Sequence, residues 1–213
     1  MVIAKEVARK LLQINAIKLS PQNPFTWASG LRSPIYCDNR IVLSHPEVRK
    51  YVIDAFVDKS KAFSHFDTIA GVATAGIAHG ALIASKMDLP MVYVRSKPKG
   101  HGRQNQIEGD LKPGAKVLVV EDLISTGGSV LSAVEILREN GAEVSGVVAI
   151  FSYGFPQAKA AFDKANCPYL TLSEYSVLLE EAIHSAYISM DEMTRLQEWQ
   201  DDPKAWSQQF ESN

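Results

Sequence analysis

The stretch VLVVEDLISTGGS at residues 117–129 sets the strongest limit on what this chain can fold into. Val117, Leu118, Val119 and Val120 form an apolar run without polar alternation, the pattern of a central parallel strand covered on both faces. Two carboxylates, Glu121 and Asp122, stand where that strand is expected to give out. Ser125, Thr126, Gly127, Gly128 and Ser129 then offer hydroxyls and backbone N–H groups with little bulk, before a helix expected from about Val130. Such a strand–turn–helix aims unpaired amides and the positive helix end at one spot, which suits a phosphate. The spacing matches neither GxxxxGK[ST] nor GxGxxG, so neither a Walker loop nor a dinucleotide-binding turn is indicated. Two acids beside a phosphate repel it unless they face hydroxyls or a cation. A sugar phosphate, its ribose diol over Glu121 and Asp122, meets that condition.

The 213 residues suit one α/β domain with embellishments, and a hydrophobic share of 46% is ample for its core. A formal charge of -2 argues against a broad nucleic-acid surface, so any basic chemistry must be local. Cys37 and Cys167 lie far apart with no CxxC, which indicates neither a disulfide framework nor a zinc site and favours a reducing cytoplasm. No charged-then-apolar leader opens the sequence, and no apolar run approaches the ~18 residues of a membrane span, so neither secretion nor a membrane is expected.

The periodicity predicts an amphipathic helix over 2–14, a polar exit over 15–24, and a hairpin or ordered loop over 24–38 that mixes aromatics, hydroxyls, Gly and Pro. A second helix is expected over 46–60, capped by Ser44. Strand 67–72 leads into Thr74-Ala75-Gly76 and a helix over 77–87, and a small-residue turn at a strand's carboxyl end is a candidate diphosphate site. His79 in that helix reads as a packed or solvent-edge histidine rather than a catalytic one. After a strand at 90–94, residues 95–109 bring Arg95, Lys97, Lys99, His101 and Arg103 together with three glycines and no apolar period. That composition predicts a mobile cationic loop able to close over a polyanion. Further strands are expected over 143–151 and 169–172, with helices over 130–140 and 155–165. A last helix over 189–199 carries a stripe of Met193, Leu196 and Trp199 that suits packing or a subunit contact.

Three of these stretches resemble one family. The apolar run, acid pair and Thr-Gly-Gly-Ser turn resemble the phosphoribosyl-diphosphate motif of type I phosphoribosyltransferases. The segment FTWASGLRSPIY at 25–36 resembles the FTxxSGxxSPxY hood of orotate phosphoribosyltransferases, and Arg95, Lys99, His101 and Gly102 match their R-x-x-x-K-x-H-G loop. Two positions depart: Thr74-Ala75-Gly76 lacks the lysine many relatives carry there, and Ser96 stands where many have lysine, so that this diphosphate contact is either absent or supplied by Lys97. The first departure places the chain near a short bacterial subtype. Longer relatives hold the base carboxylate with an arginine after the strand at 143–151. Here the sequence is Phe151-Ser152-Tyr153-Gly154, and the sequence assigns that role to no residue.

The resemblance implies a doubly wound, mainly parallel α/β sheet with helices on both faces and a small N-terminal hood. It divides the chain into a hood at 1–45, a core at 46–172 and a helical extension at 173–213. It implies transfer of a phosphoribosyl group from 5-phospho-α-D-ribose 1-diphosphate to orotate in pyrimidine biosynthesis. Lys99, His101 and Asp122 would be catalytic. The phosphoribosyl diphosphate would meet Arg95, Lys99, His101, Glu121, Asp122, Leu123, Ile124, Ser125, Thr126, Gly127, Gly128 and Ser129. Phe25, Tyr36 and Ser125 would meet orotate, with Ser125 at the boundary between phosphate and base. Mg²⁺ is expected mainly on substrate oxygens and water, with the acid pair as an open further contact, and a homodimer is expected in which the loop reaches the neighbouring site. The alternatives are another base on the same fold, or a regulatory protein that senses phosphoribosyl diphosphate and binds nucleic acid. The net charge and the absence of a helix-turn-helix region ahead of the core speak against the latter.

Overall fold

The computed structural model describes residues 2–27, 29–97 and 106–210. Helix α1 (Val2–Gln13) buries Val7, Ala8, Leu11 and Leu12 at helical spacing. Strands β1 (Ile17–Leu19), β2 (Phe25–Thr26), β3 (Arg32–Ser33) and β4 (Ile35–Cys37) then make two small antiparallel ladders, β1 with β4 and β2 with β3. The expected polar exit over 15–24 therefore holds a strand, one too short for a period-2 pattern to reveal. A 3₁₀ segment (Asn39–Ser44) leads into helix α2 (Pro46–Ser60). Ser44 lies inside the 3₁₀ segment and is not the cap. His45 holds that position without a side-chain bond, and Pro46 starts the helix with its φ already set.

The main sheet contains β5 (Thr68–Val72), β6 (Met91–Val94), β7 (Ile107–Glu108), β8 (Lys116–Ile124), β9 (Glu143–Ser152) and β10 (Tyr169–Glu174), in the order β10-β9-β8-β5-β6-β7. All neighbours are parallel except β7, which pairs antiparallel with β6. Helices α3 (Ala75–Met87), α4 (Gly128–Glu139) and α5 (Pro156–Lys164) are crossovers. The chain ends in α6 (Tyr175–His184), α7 (Met190–Asp201) and α8 (Pro203–Gln208). This is the doubly wound, mainly parallel arrangement expected. Three of the differences in boundary bear on the sheet edge. β8 runs on past both acids to Ile124, because Leu123 and Ile124 keep their pairing with Phe151 and Ser152 of β9. α4 starts at Gly128 rather than Val130. The far end of the cationic segment is β7, where Ile107 is buried and pairs with Val94.

β8 shows why its run is apolar throughout. Leu118 and Val120 face a core shared with Val52 and Phe56 of α2 and Ile83 of α3, whereas Val117 and Val119 face Val130, Val134 and Leu137 of α4 and Phe162 of α5. Side-chain alternation thus buries each half of the run against a different helical layer. The first of these cores continues into the C-terminal helices. Trp199 of α7 is fully buried, edge-on to Tyr153 at 5.5 Å and to Trp27 of the hood at 5.7 Å. Ser207 of α8 accepts the Arg32 backbone N–H at 2.9 Å. α6 and α8, which the sequence periodicity did not delimit within the expected helical extension, therefore lie in the same packed body as the hood.

The small residues before α3 have a steric cause. A Cβ at Gly76 would collide with the Val120 carbonyl oxygen, so only glycine lets the α3 start lie against β8. Gly76→Ala is expected to cost roughly 1–3 kcal/mol of unfolding free energy in urea titration, as overpacking against an immobile backbone does. An unchanged midpoint would contradict that contact.

Candidate active site

The carboxyl ends of β5, β6, β8 and β9 meet at one edge of the sheet, where ligands of open α/β sheets bind. Glu121 is 7% exposed, and its Oε1 accepts the Asp122 backbone N–H at 3.0 Å. Burial pushes the Glu121 carboxyl well up, and the adjacent Asp122 charge adds to the shift. Burial also raises Asp122, against the hydrogen bonds it receives from Glu121 and from the backbone and the attraction of Arg40. The pair therefore resists carrying two charges until hydroxyl donors or positive charge face it.

The hood is tied directly to this acid turn. Asn39, fully buried at the start of the 3₁₀ segment, donates from Nδ2 to the Asp122 carbonyl oxygen at 2.8 Å. His79 of α3 lies nearby in the core, with its ring 6.4 Å from Phe56. Burial lowers its pKa to about 4, so it is neutral at physiological pH and is packing, as the sequence suggested.

The turn after β8 divides between two cavities. Gly127 has φ +82°, a left-handed conformation that opens α4 with no side-chain cap, which leaves the first-turn amides to an external acceptor. Ser125 faces a cavity of about 320 Å³ whose other walls are Thr26, Trp27, Tyr36, Cys37, Leu123 and Tyr153. Ser129 faces a second, of about 270 Å³, together with Ala73, Arg95, Ser96 and Ser132. Thr126 and Gly128 are exposed between them.

Of the residues expected near a base, Tyr36 and Ser125 line one cavity. Phe25 stands behind Tyr36, with ring centroids 5.7 Å apart. Leu123, expected beside the phosphate, faces this same cavity. Ile124 is fully buried in the core beneath α4, and its carbonyl accepts the Tyr153 N–H at 3.1 Å, so its side chain is turned away from any ligand. Trp27, Cys37 and Tyr153 were not singled out from the sequence. The signal for Tyr153 was its place just past the carboxyl end of β9, beside β8. Trp27 is fixed by an Nε1 bond to the Ile35 carbonyl at 3.1 Å and by stacking on Tyr153 at 5.7 Å. Burial, then Asp122 and Asp38, push the Cys37 thiol well up, which argues against a thiolate nucleophile. Arg95 pairs with Glu108 at 3.5 Å, at the mouth of the second cavity. Lys99 and His101, with the loop expected around them, lie outside the described residues.

A family profile described as the phosphoribosyl transferase domain matches residues 39–174. The chain is 51% identical over 207 residues to the orotate phosphoribosyltransferase of Listeria innocua, covering 97% of this chain and 99% of that protein. Identity to the Streptococcus mutans orotate phosphoribosyltransferase is 53% over the same length, with the same coverage. The chain belongs to the orotate phosphoribosyltransferase family. The crystal structure of the Aeropyrum pernix orotate phosphoribosyltransferase superimposes with a TM-score of 0.75 at 27% identity, covering 86% of this chain and 99% of that one. The doubly wound sheet is thus the type I phosphoribosyltransferase fold, and the acid pair and small-residue turn occupy its sheet edge.

The acid pair has a thermodynamic signature in the free protein. A carboxyl whose pKa is raised on folding stabilises the fold fully below its ordinary value, here 4.5, and loses that stability as pH rises through the folded value. Glu121→Gln removes the titration. Between about pH 5 and about pH 8 the wild-type melting temperature is expected to fall relative to that of the variant. Parallel melting curves across that range would refute the raised pKa.

Proposed function

We propose that the protein transfers the 5-phosphoribosyl group of 5-phospho-α-D-ribose 1-diphosphate to orotate, giving orotidine 5'-monophosphate and diphosphate in pyrimidine nucleotide biosynthesis. The observation that carries this reading is the identity of about half of all residues to orotate phosphoribosyltransferases over nearly their whole length. The site supports it: an acid pair and an uncapped helix start adjoin a cavity whose aromatic walls suit a flat ring. An assay with orotate, Mg²⁺ and phosphoribosyl diphosphate, beside a panel of other bases, tests it. Turnover with another base and none with orotate would reject it.

In this reading the 5-phosphate takes the amides and hydroxyls of Ser125, Thr126, Gly127, Gly128 and Ser129. Glu121 and Asp122 accept hydrogen bonds from the ribose hydroxyls, which offsets the cost of their burial. The C1–O bond to diphosphate breaks with its electron pair leaving on the diphosphate, and the orotate ring nitrogen bonds to C1. The sugar passes through an oxocarbenium-like state, as in other glycosyl transfers. Arg95, Lys99 and His101 supply positive charge to the leaving group once water is excluded. No enzyme nucleophile is needed.

Mg²⁺ fits the donor set as an ion held mainly by substrate. Among the described residues no three His, Cys, Asp or Glu side chains converge into a cage, and the half-buried Asp122 is the more accessible carboxylate of the acid pair. Bound to phosphate and ribose oxygens, the ion would add charge against the leaving diphosphate. Residues 1–45 serve as the hood, 46–172 as the catalytic core, and 173–213 as an extension that braces the hood through Trp199 and Ser207. A cytoplasmic location suits the unpaired Cys37 and Cys167.

The working unit is a homodimer in which the loop carrying Lys99 reaches the neighbouring site. Lys99→Ala is expected to lower kcat about 10²-fold or more, and Asp122→Asn to weaken phosphoribosyl-diphosphate binding. Mixing the two variants under conditions that exchange subunits should restore activity well above either alone, because a hybrid dimer contains one site with both groups intact. No recovery would sink the shared site.

A further inference from the structure

A ring that carries a carboxylate needs a cation beside it, since burying that charge unpaired is costly. Among the described residues, the wall of the cavity beneath the hood has none, consisting of rings, hydroxyls, one thiol and Leu123. Its surroundings are acidic, with Asp122 and Asp38 both acting on the Cys37 thiol. The positive charge is therefore sought among the described residues next to that wall.

Among the described residues, three cations belong to segments that adjoin this wall. Lys18 is opposite Tyr36 in the β1–β4 ladder and is exposed. Arg32 is exposed at β3, with Nη1 committed to Thr26 Oγ1 at 2.9 Å. Arg40 differs from both in how it is held. Asp38, the residue after Cys37 and the cap of the 3₁₀ segment, takes Arg40 Nε at 2.6 Å and Nη2 at 2.9 Å, which fixes the plane of the guanidinium. Nη1 is left without a partner among the described residues. The intervening Asn39 bonds the Asp122 carbonyl, so this short segment joins the cavity wall at Tyr36 and Cys37 to the acid turn. Arg40 is also within electrostatic reach of both Tyr36 and Asp122.

We infer that Arg40 is a specificity-determining residue, its guanidinium oriented by Asp38 so that Nη1 meets the carboxylate of the base. The inference rests on orotate as the acceptor base. Arginine keeps its charge at any physiological pH, and a fork pinned on one carboxylate retains donors for a second, so little ordering remains when the substrate enters. The arrangement also accounts for a family member with Tyr153, and no arginine, after β9.

The test compares orotate with uracil, the same ring without the carboxylate. In Arg40→Gln the KM for orotate should rise about 10-fold or more, as for the loss of a charged hydrogen bond, with the KM for phosphoribosyl diphosphate within about twofold of wild type. The inhibition constant for uracil should be unchanged, and Arg40→Lys, which keeps the charge without the fork, should fall between. Lys18→Ala and Arg32→Ala should leave the preference for orotate over uracil as it was. The inference is overturned if Arg40→Gln weakens uracil and orotate alike, if it leaves the orotate KM unmoved, or if Lys18→Ala or Arg32→Ala abolishes the preference. Should Arg40→Gln lose its thermal transition, Asp38→Asn, which frees the guanidinium without removing it, must reduce the preference, and an unchanged preference overturns the idea. Wild-type protein inert with orotate would reject the proposed function and this inference with it. An active wild type with an indifferent Arg40→Gln would reject the inference alone.

Discussion

Everything at the functional edge depends on two adjacent carboxylates buried near the end of a central strand. A strand covered on both faces gives Glu121 and Asp122 little water, and among the described residues neither forms a salt bridge. Their raised pKa values are the physical expression of that cost, and they mark the site as one that gains most from a ligand rich in hydroxyl donors. The remaining features serve to hold the pair there. β9 continues its ladder past the acids, Gly76 lets α3 close against the strand, and Asn39 fixes the Asp122 carbonyl from the hood.

The hood cannot be stable by its own hydrogen bonds, since its ladders are two or three residues long. Its position comes from aromatic packing. Trp27 stacks on Tyr153 and meets Trp199 edge-on, and Tyr153 in turn contacts Phe151, Phe155 and Tyr175. Tyr153 therefore serves two surfaces, one ring edge in the cluster that anchors the hood and part of its surface in the wall of the cavity that Ser125 faces. The C-terminal helices, which carry no recognisable chemistry, complete this cluster through Trp199 and hold β3 through Ser207. They act on the site by bracing the segment that covers it.

What was readable from sequence follows from range. The apolar run of β8, the acid pair and the small-residue turn are contiguous, and the side chains that define them need no distant partner to be recognised. The hood was readable as a segment because its turn residues cluster between Phe25 and Asp38. Its β1 strand was not, because three residues carry no period and are held by a pairing with Cys37, Tyr36 and Ile35 from further along the chain. Likewise Ile107 looked like part of a polar loop, since one buried residue becomes visible as a strand only when Val94 is set beside it. α6 is a different case. Tyr175, Leu178, Leu179 and Ala182 are buried at helical spacing, a signal local enough to have been read.

The sequence by itself determined the layered α/β class, the chemistry of the strand end and the family, because each rests on residue order within a short window. Only the tertiary structure decided which residues share a cavity. Parallel pairing of β8 with β9 sets Tyr153 beside Leu123 and Ser125, and the packing of Trp27 on that tyrosine brings Tyr36 and Cys37 over them. It also separated Ser125 from Ser129, which face different cavities though four residues apart, because the left-handed Gly127 between them redirects the chain. A one-dimensional pattern records which groups are available. Their convergence depends on contacts between segments distant in sequence, and those are settled only when the cores on the two faces of the sheet close.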